Sequence, residues 1–473
     1  MTTRLTVPSR TIDWWLSGNI LGPMRRFTGA VVIAAGPWLV SVMALAIVSA
    51  TMQPVLGFAA IEDVRLTVVY AFCVAPLAAG PIGAVAARLV GAEVEAGAIR
   101  QAPAIFLAAS LAAALLAEIM AIALVVLLGV APFGVAAAFV FLSGAAALLW
   151  VSFAILTALK AYVLLIWTFT GGMAFALTCI MLATRRGVDT EILVWSFTAG
   201  IALSVGSAMI RVRRAAAGTE GDLPRAFATL WQACRRLRLL ALGVLCGIVA
   251  VWIDKWVFWL VPTSARSTAG FAHYSPYDSV MFVAHLSAVP TYAALLLFHD
   301  AKLRPAIEVF RARLQDGSTH ARIRMAVDVL GRNVWSGLFS IVFLQAALTA
   351  CMVMMAPAVA AALAFGFDQF VTLRIGLIGV FFHAFFYLGC AVILVCNRMR
   401  TFLMLQAGFL ACNLIASPAF YLLTGMSAYA FFGSALVMAV VAFFAAYRAL
   451  AAIDYLTFLG ENDAFYERTQ EYA

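Results

Sequence analysis

The chain has 473 residues and a formal charge of +9; 65% of its residues are hydrophobic and only 11% are charged. A soluble domain carries about a quarter charged residues, and a mean hydropathy of +1.02 with repeated long apolar runs excludes that class. The pattern indicates an all-α, polytopic membrane protein. The basic excess is no nucleic-acid signal, because its distribution along the chain accounts for it. The eight cysteines are scattered, without a CxxC pair or a metal spacing, and read as small packing residues.

Residues 1–27 do not span. Trp14, Trp15, Leu16, Ile20, Leu21 and Met24 precede Arg25 and Arg26, with no small-residue cleavage site, so an interfacial amphipathic helix is expected rather than a cleaved signal. Six spans follow, at 28–52, 66–89, 103–129, 133–157, 162–183 and 189–209. A basic connector at 210–238 leads to six more, at 239–261, 277–298, 334–363, 372–396, 401–423 and 428–447, with a loop at 299–333 and a tail at 448–473. The reading is twelve transmembrane helices in two six-helix lobes, 28–209 and 239–447. The count allows a parallel repeat about an axis normal to the membrane. The span 334–363 contains Pro357 and must tilt or kink if it is one element.

Orientation follows from lysine and arginine. With the amino terminus cytoplasmic, inner loops and tails hold 25 of the 31 basic residues; the outer loops hold Arg65, Arg185, Arg186, Arg266 and Arg374. This positive-inside bias puts both termini in the cytoplasm. The inner loops 211–238 and 302–332 carry seven basic residues each, and each is long enough for an amphipathic helix. Topological charge and contact with lipid headgroups account for them; partner docking would be an additional role.

The seventh span holds the sequence Val251-Trp252-Ile253-Asp254-Lys255-Trp256-Val257-Phe258-Trp259. An acid or base near the middle of a span costs about 2.5–3.5 kcal/mol on insertion scales, so it is either paired or faces water. Trp252, Trp256 and Trp259 follow an i, i+4, i+7 spacing and form one stripe, while Asp254 and Lys255 point about 100° apart. The tryptophans read either as an interfacial belt or as part of a functional site, and Asp254 either as a buried ion pair or as a residue facing a watery cavity. Other polar residues within spans are Glu118, His285, His383 and Asn413; Tyr277 and Asp278 stand at the outer mouth of the eighth span. The histidines can equally be core residues bonded to a carbonyl, and Asn413 a helix-to-helix hydrogen bond. Gly36-Pro37 and Gly80-Pro81 are candidate helix breaks in the first two spans. There is no P-loop, no nucleophile with its base and no metal cluster, so neither an enzyme nor a cofactor is expected.

Several stretches resemble the PelG family. They are Gly36-Pro37-Trp38-Leu39, Val69-Tyr70-Ala71-Phe72 with Gly80-Pro81, and Ala158-Leu159-Lys160-Ala161-Tyr162. Trp252-Ile253-Asp254-Lys255 with Phe258-Trp259, Tyr277-Asp278 with Phe282-Val283-Ala284, Val289-Pro290, and Ala452-Ile453-Asp454-Tyr455-Leu456-Thr457-Phe458 continue the likeness in order along nearly the whole chain. At 298–305 the chain departs from it, with Phe-His-Asp-Ala-Lys-Leu-Arg-Pro where the family commonly shows Glu-Thr and aromatic residues.

The resemblance implies an inner-membrane exporter of the Pel exopolysaccharide, in the multidrug/oligosaccharidyl-lipid/polysaccharide transporter superfamily. It also implies a two-lobed fold with a central cavity worked by alternating access. The implied partners are a cytoplasmic glycosyltransferase and small inner-membrane scaffold subunits, besides the polysaccharide and membrane lipid. Carboxylates and tryptophans suit such a substrate, since aromatic faces stack on pyranose rings and acids accept from hydroxyl or amino groups. The alternatives are a lipid-linked oligosaccharide flippase or ion-coupled exporter of the same fold, and a non-transporting scaffold for a glycosyltransferase. A sealed core with Asp254 and Lys255 paired to neighbours would favour the scaffold.

Overall fold

The structure is a computed structural model and describes residues 43–97, 99–183, 189–216, 222–316, 319–425 and 428–455. The expected interfacial segment 1–27, the candidate break Gly36-Pro37 and the tail beyond 455 lie outside the described residues.

Within them the protein is almost wholly helical, as a chain in hydrocarbon must be if every backbone N–H and C=O is to find a partner. The helices, in order, are α1 (Met43–Leu56), α2 (Phe58–Glu95), α3 (Ala102–Leu128), α4 (Phe133–Ala158), α5 (Tyr162–Ala183), α6 (Thr190–Ala215), α7 (Leu223–Arg236) and α8 (Arg238–Trp259). A two-stranded antiparallel hairpin, β1 (Ala265–Arg266) with β2 (Ala272–His273), separates them from α9 (Ser275–Leu286) and α10 (Val289–Phe298). Then come α11 (Arg304–Gln315), α12 (His320–Ala362), α13 (Phe367–Val395), α14 (Met399–Thr424) and α15 (Ala428–Ala451). Eleven elements, counting α9 and α10 as one, are long and apolar enough to cross a membrane; the shorter apolar α1 stands within and just beyond the first expected span.

Three details differ from the sequence expectation. First, Gly80 and Pro81 do not interrupt the second span: α2 runs unbroken from Phe58 to Glu95 with Pro76 and Pro81 inside it. Gly80 serves packing instead, since a Cβ there would collide with the Ile248 side chain of α8. Second, the eighth span is divided into α9 and α10 around Ser287 and Ala288. Pro290, in the first turn of α10, offers no N–H to continue the ladder. Third, the helix that carries the span 334–363 starts earlier, at His320: α12 is 43 residues long, with Pro357 inside it as the single span required, and absorbs part of the preceding loop. Both basic inner loops do contain a helix, α7 and α11.

By contacts the chain groups into two compact units, one up to Asp278 and one from Ser279. The sequence divides by counting at the connector 210–238; the contact grouping keeps α8 with the first unit because it packs along α2. The first unit is built on α2 against α4, where Ala71, Val74, Ala75, Ala78, Val85 and Ala86 are fully or nearly buried. Such small residues allow the close helix approach that packing in lipid depends on. Between α5 and α6 the backbones meet at Gly172 and Gly200, where a Cβ on either would strike the other's carbonyl oxygen. In the second unit α13 packs chiefly on α15, with α12 and α14 around it.

Candidate functional site

Asp254 stands five residues before the end of α8, about 7.5 Å along the axis at about 1.5 Å per residue. Its side chain is fully buried. Oδ1 accepts from the Lys255 backbone N–H at 2.8 Å and from the Lys255 ammonium at 3.2 Å; the ammonium also donates to the Val251 carbonyl at 3.0 Å. Oδ2 accepts from the hydroxyl of Tyr277, itself fully buried, at 2.5 Å. The adjacent acid and base thus meet through the flexible lysine stem, although their Cβ directions diverge. The Lys255 ammonium lies 5.9 Å from the Trp252 ring and 5.8 Å from that of Tyr277, within reach of cation–π attraction.

Asp278, one residue after Tyr277, belongs to a second cluster. Its Oδ2 accepts from the Trp259 indole at 2.8 Å and from the Tyr274 backbone N–H at 2.9 Å, which ties the end of α8 to the start of α9. Trp259 stacks on Tyr70 of α2, with centroids 4.6 Å apart at 22°. Tyr70 donates its hydroxyl to the Ala272 carbonyl at 2.7 Å, and its ring lies 4.9 Å from Phe271. Both faces of this tryptophan's chemistry, ring and N–H, are therefore engaged inside the first unit. Trp252 and Trp256 are only half-buried and lean on the same core.

The hairpin itself has no counterpart in the sequence reading. Its turn is inserted into the end of the first unit: Phe271 is fully buried, Ala269 nearly so. Asp63 of α2, also buried, accepts from the Thr268 hydroxyl and from the Ala269 N–H at 3.0 Å. The Ala269 carbonyl accepts from the Ala131 N–H at 3.1 Å, and Glu62 lies 3.5 Å from the His273 ring. Gly270, at φ +99, supplies the left-handed turn residue that a side chain would strain. Two-residue strands give no alternating pattern to read, and placing the second span at 66–89 assigned Asp63 to an outer loop. The Glu62-Asp63 pair was the available signal.

The remaining candidates are dispersed. Glu118 on α3 is half-buried and lies against Gly144 of α4, where a Cβ would collide with its carboxyl group. In the second unit His285 of α9 sits beside His383 of α13, ring centroids 6.3 Å apart, with Phe431 at 5.4 and 5.6 Å and Phe409 at 5.2 Å from His383. The His285 Nδ1 lies 2.7 Å from the Met281 carbonyl. The buried trio Thr291, Gln345 and Thr349 links α10 to α12: Thr291 donates to the Gln345 oxygen, and the Gln345 amide donates to Thr349 at 3.2 Å. Gln345 was absent from the sequence candidates, although the signal that singled out Asn413, an amide inside a span, was equally present there.

These observations assemble Asp254, Lys255, Tyr277, Asp278 and Trp259 at one end of the first unit and His285 with His383 in the second. Glu118 belongs to neither cluster. Among the described residues no group of three or more His, Cys, Asp or Glu side chains could hold a metal ion.

The PelG family, described as an exopolysaccharide exporter (EPS-E), matches residues 16–458. Among curated proteins none matches the sequence significantly. The fold is similar to that of a multidrug resistance MATE family transporter of the MOP superfamily in an outward-facing conformation: TM-score 0.63, 15% identity, 93% of this chain and 98% of that one covered. The inward-facing conformation of such a transporter gives a TM-score of 0.59 at 14% identity, covering 94% and 98%. A MOP superfamily transporter from Pyrococcus furiosus, noted for reversed polarity of its binding pocket, gives 0.60 at 15% identity, covering 93% and 98%. The fold is thus that of a polytopic membrane transporter.

Proposed function

The chain belongs to the PelG family of exopolysaccharide exporters, and from that premise we propose that it carries a Pel-like exopolysaccharide across the bacterial cytoplasmic membrane by alternating access. Both termini face the cytoplasm in this reading. The observation that carries it is the family match over residues 16–458 on a fold shared with MATE transporters. Its partners would be a cytoplasmic glycosyltransferase and small inner-membrane subunits.

Within this reading the polymer meets the α8 turn that carries Trp252, Lys255 and Trp256. These three, like Asp278, are not wholly withdrawn into the core. The two tryptophans are one turn apart, about 6 Å along the axis, a spacing close to one pyranose ring. Asp254 acts behind them, fixing the ammonium rather than touching sugar. Asp278 and Tyr277 hold the end of α8 to α9, and His285 and His383 are the corresponding polar aromatic pair of the second unit.

The scaffold reading keeps one observation in its favour, the mutual pairing of Asp254 and Lys255. The two readings separate on replacing Trp252 and Trp256 singly by Phe and by Ala, with secreted polymer and membrane protein level measured together. A sugar platform predicts that Phe retains most secretion and that Ala loses it at least tenfold at normal protein level. Normal secretion from both alanine variants at normal level would overturn the platform. A parallel fall in protein and polymer would assign the pair to helix packing, where truncating a fully buried tryptophan costs about 3–5 kcal/mol and a half-buried one less.

A further inference from the structure

We propose that the cleft where α7 meets α8 binds the headgroup of an anionic phospholipid. α7 is amphipathic in position as well as in sequence: Ala226 and Leu230 are buried, and the helix packs on α3 and α2. One turn apart on another face stand Phe227 and Trp231, the latter 67% exposed. An exposed tryptophan on a short helix joining two membrane-spanning helices suits the headgroup level of a bilayer.

At the end of α7 the chain turns at Leu237, with φ −100 and ψ 25, and starts again as α8. This bend brings Arg235 and Arg236 from one helix together with Arg238 from the next, around an open cleft of about 530 Å³ that Trp231 and Cys234 also line. Among the described residues no carboxylate pairs with any of the three arginines. Arg235 and Arg236 suit the negative end of the α7 dipole, but Arg238 occupies the first turn of α8, where a cation is disfavoured. An anion in the cleft resolves that conflict, and guanidinium groups match phosphodiester oxygens two at a time.

The choice of a lipid over a free phosphate rests on the aromatic pair. A soluble anion has no use for Phe227 and Trp231, whereas acyl chains and glycerol would lie against them. Diffuse attraction to an anionic leaflet would draw on every basic residue of the connector; a built cleft draws on these three.

The test uses the full chain purified in detergent and titrated with dioleoylphosphatidylglycerol or dioleoylphosphatidylcholine, with retained lipid counted by native mass spectrometry. The site variant is Arg235→Gln/Arg236→Gln/Arg238→Gln. The control, Arg211→Gln/Arg213→Gln/Arg214→Gln, removes equal charge from the same connector. The expected result is a saturable single phosphatidylglycerol, weakened at least tenfold in the site variant and less than twofold in the control. Trp231→Ala, an exposed substitution that spares the fold, is expected to weaken it severalfold. Equal retention of phosphatidylcholine, equal loss in the control, or displacement by millimolar inorganic phosphate would each overturn the proposal.

Discussion

Asp63 and Asp254 are buried in the first unit, whereas among the described residues the buried polar side chains of the second, such as Thr291, Gln345, Thr349, His383, Gln406 and Asn413, include no carboxylate, lysine or arginine. Each buried acid of the first unit is held by specific donors: Asp63 by the hairpin turn, Asp254 by Lys255 and Tyr277. The second unit relies on neutral hydrogen bonds and on aromatic packing around His383. The difference has an energetic meaning. Removing one partner of a buried ion pair costs about 3–5 kcal/mol, while a neutral hydrogen bond contributes about 0.5–1.5 kcal/mol. The end of the first unit is therefore pinned by charge, and the interior of the second can be altered at lower cost.

The largest expected effect breaks the pinned side. Asp254→Asn leaves the Lys255 ammonium nearly buried without its counter-charge, and should destabilise the protein by about 3–5 kcal/mol. A fall in melting temperature and in membrane level checks it; an unchanged melting temperature would show that the ion pair contributes nothing. A smaller effect is expected in the second unit. Thr291→Val removes the donor to Gln345, at about 1–3 kcal/mol for the acceptor left unsatisfied. Should Thr291→Val cost as much as Asp254→Asn in the same thermal assay, the contrast between the units fails. The smallest belongs to Glu118→Gln, since this half-buried carboxyl group rests on Gly144 without a hydrogen bond among the described residues. Because no hydrogen bond is lost, protein level should stay near that of the unaltered chain, and a tenfold loss of secretion at normal protein level would move Glu118 onto the substrate path.

The sequence made the helical class readable because long apolar runs have one stable form in lipid. It also singled out Trp252, Asp254, Lys255 and Trp259, since charges and tryptophans inside a span stand out against alanine and leucine. What it could not provide was pairing. Asp254 and Tyr277 are 23 positions apart, Asp63 and Ala269 are 206, and nothing local links them. Pro81 was misleading for a physical reason: a proline within a 38-residue helix costs a single ladder bond, which the packing of α2 on α4 and α8 outweighs. Trp259, in line with Trp252 and Trp256 by spacing, is separated from them by its partners, Tyr70 on one face and Asp278 at its N–H.

The central claim is that the Asp254–Lys255 pair serves export as well as stability, because it holds a cation beside the tryptophans. The most direct measurement compares Asp254→Asn with the double variant Asp254→Asn/Lys255→Met, scoring secreted polymer per molecule of membrane protein. Removing both charges relieves the unpaired ammonium, so the double variant should regain protein level while secretion per molecule stays at least tenfold below that of the unaltered chain. Secretion restored along with the protein level would contradict the claim and leave the pair a purely structural tie.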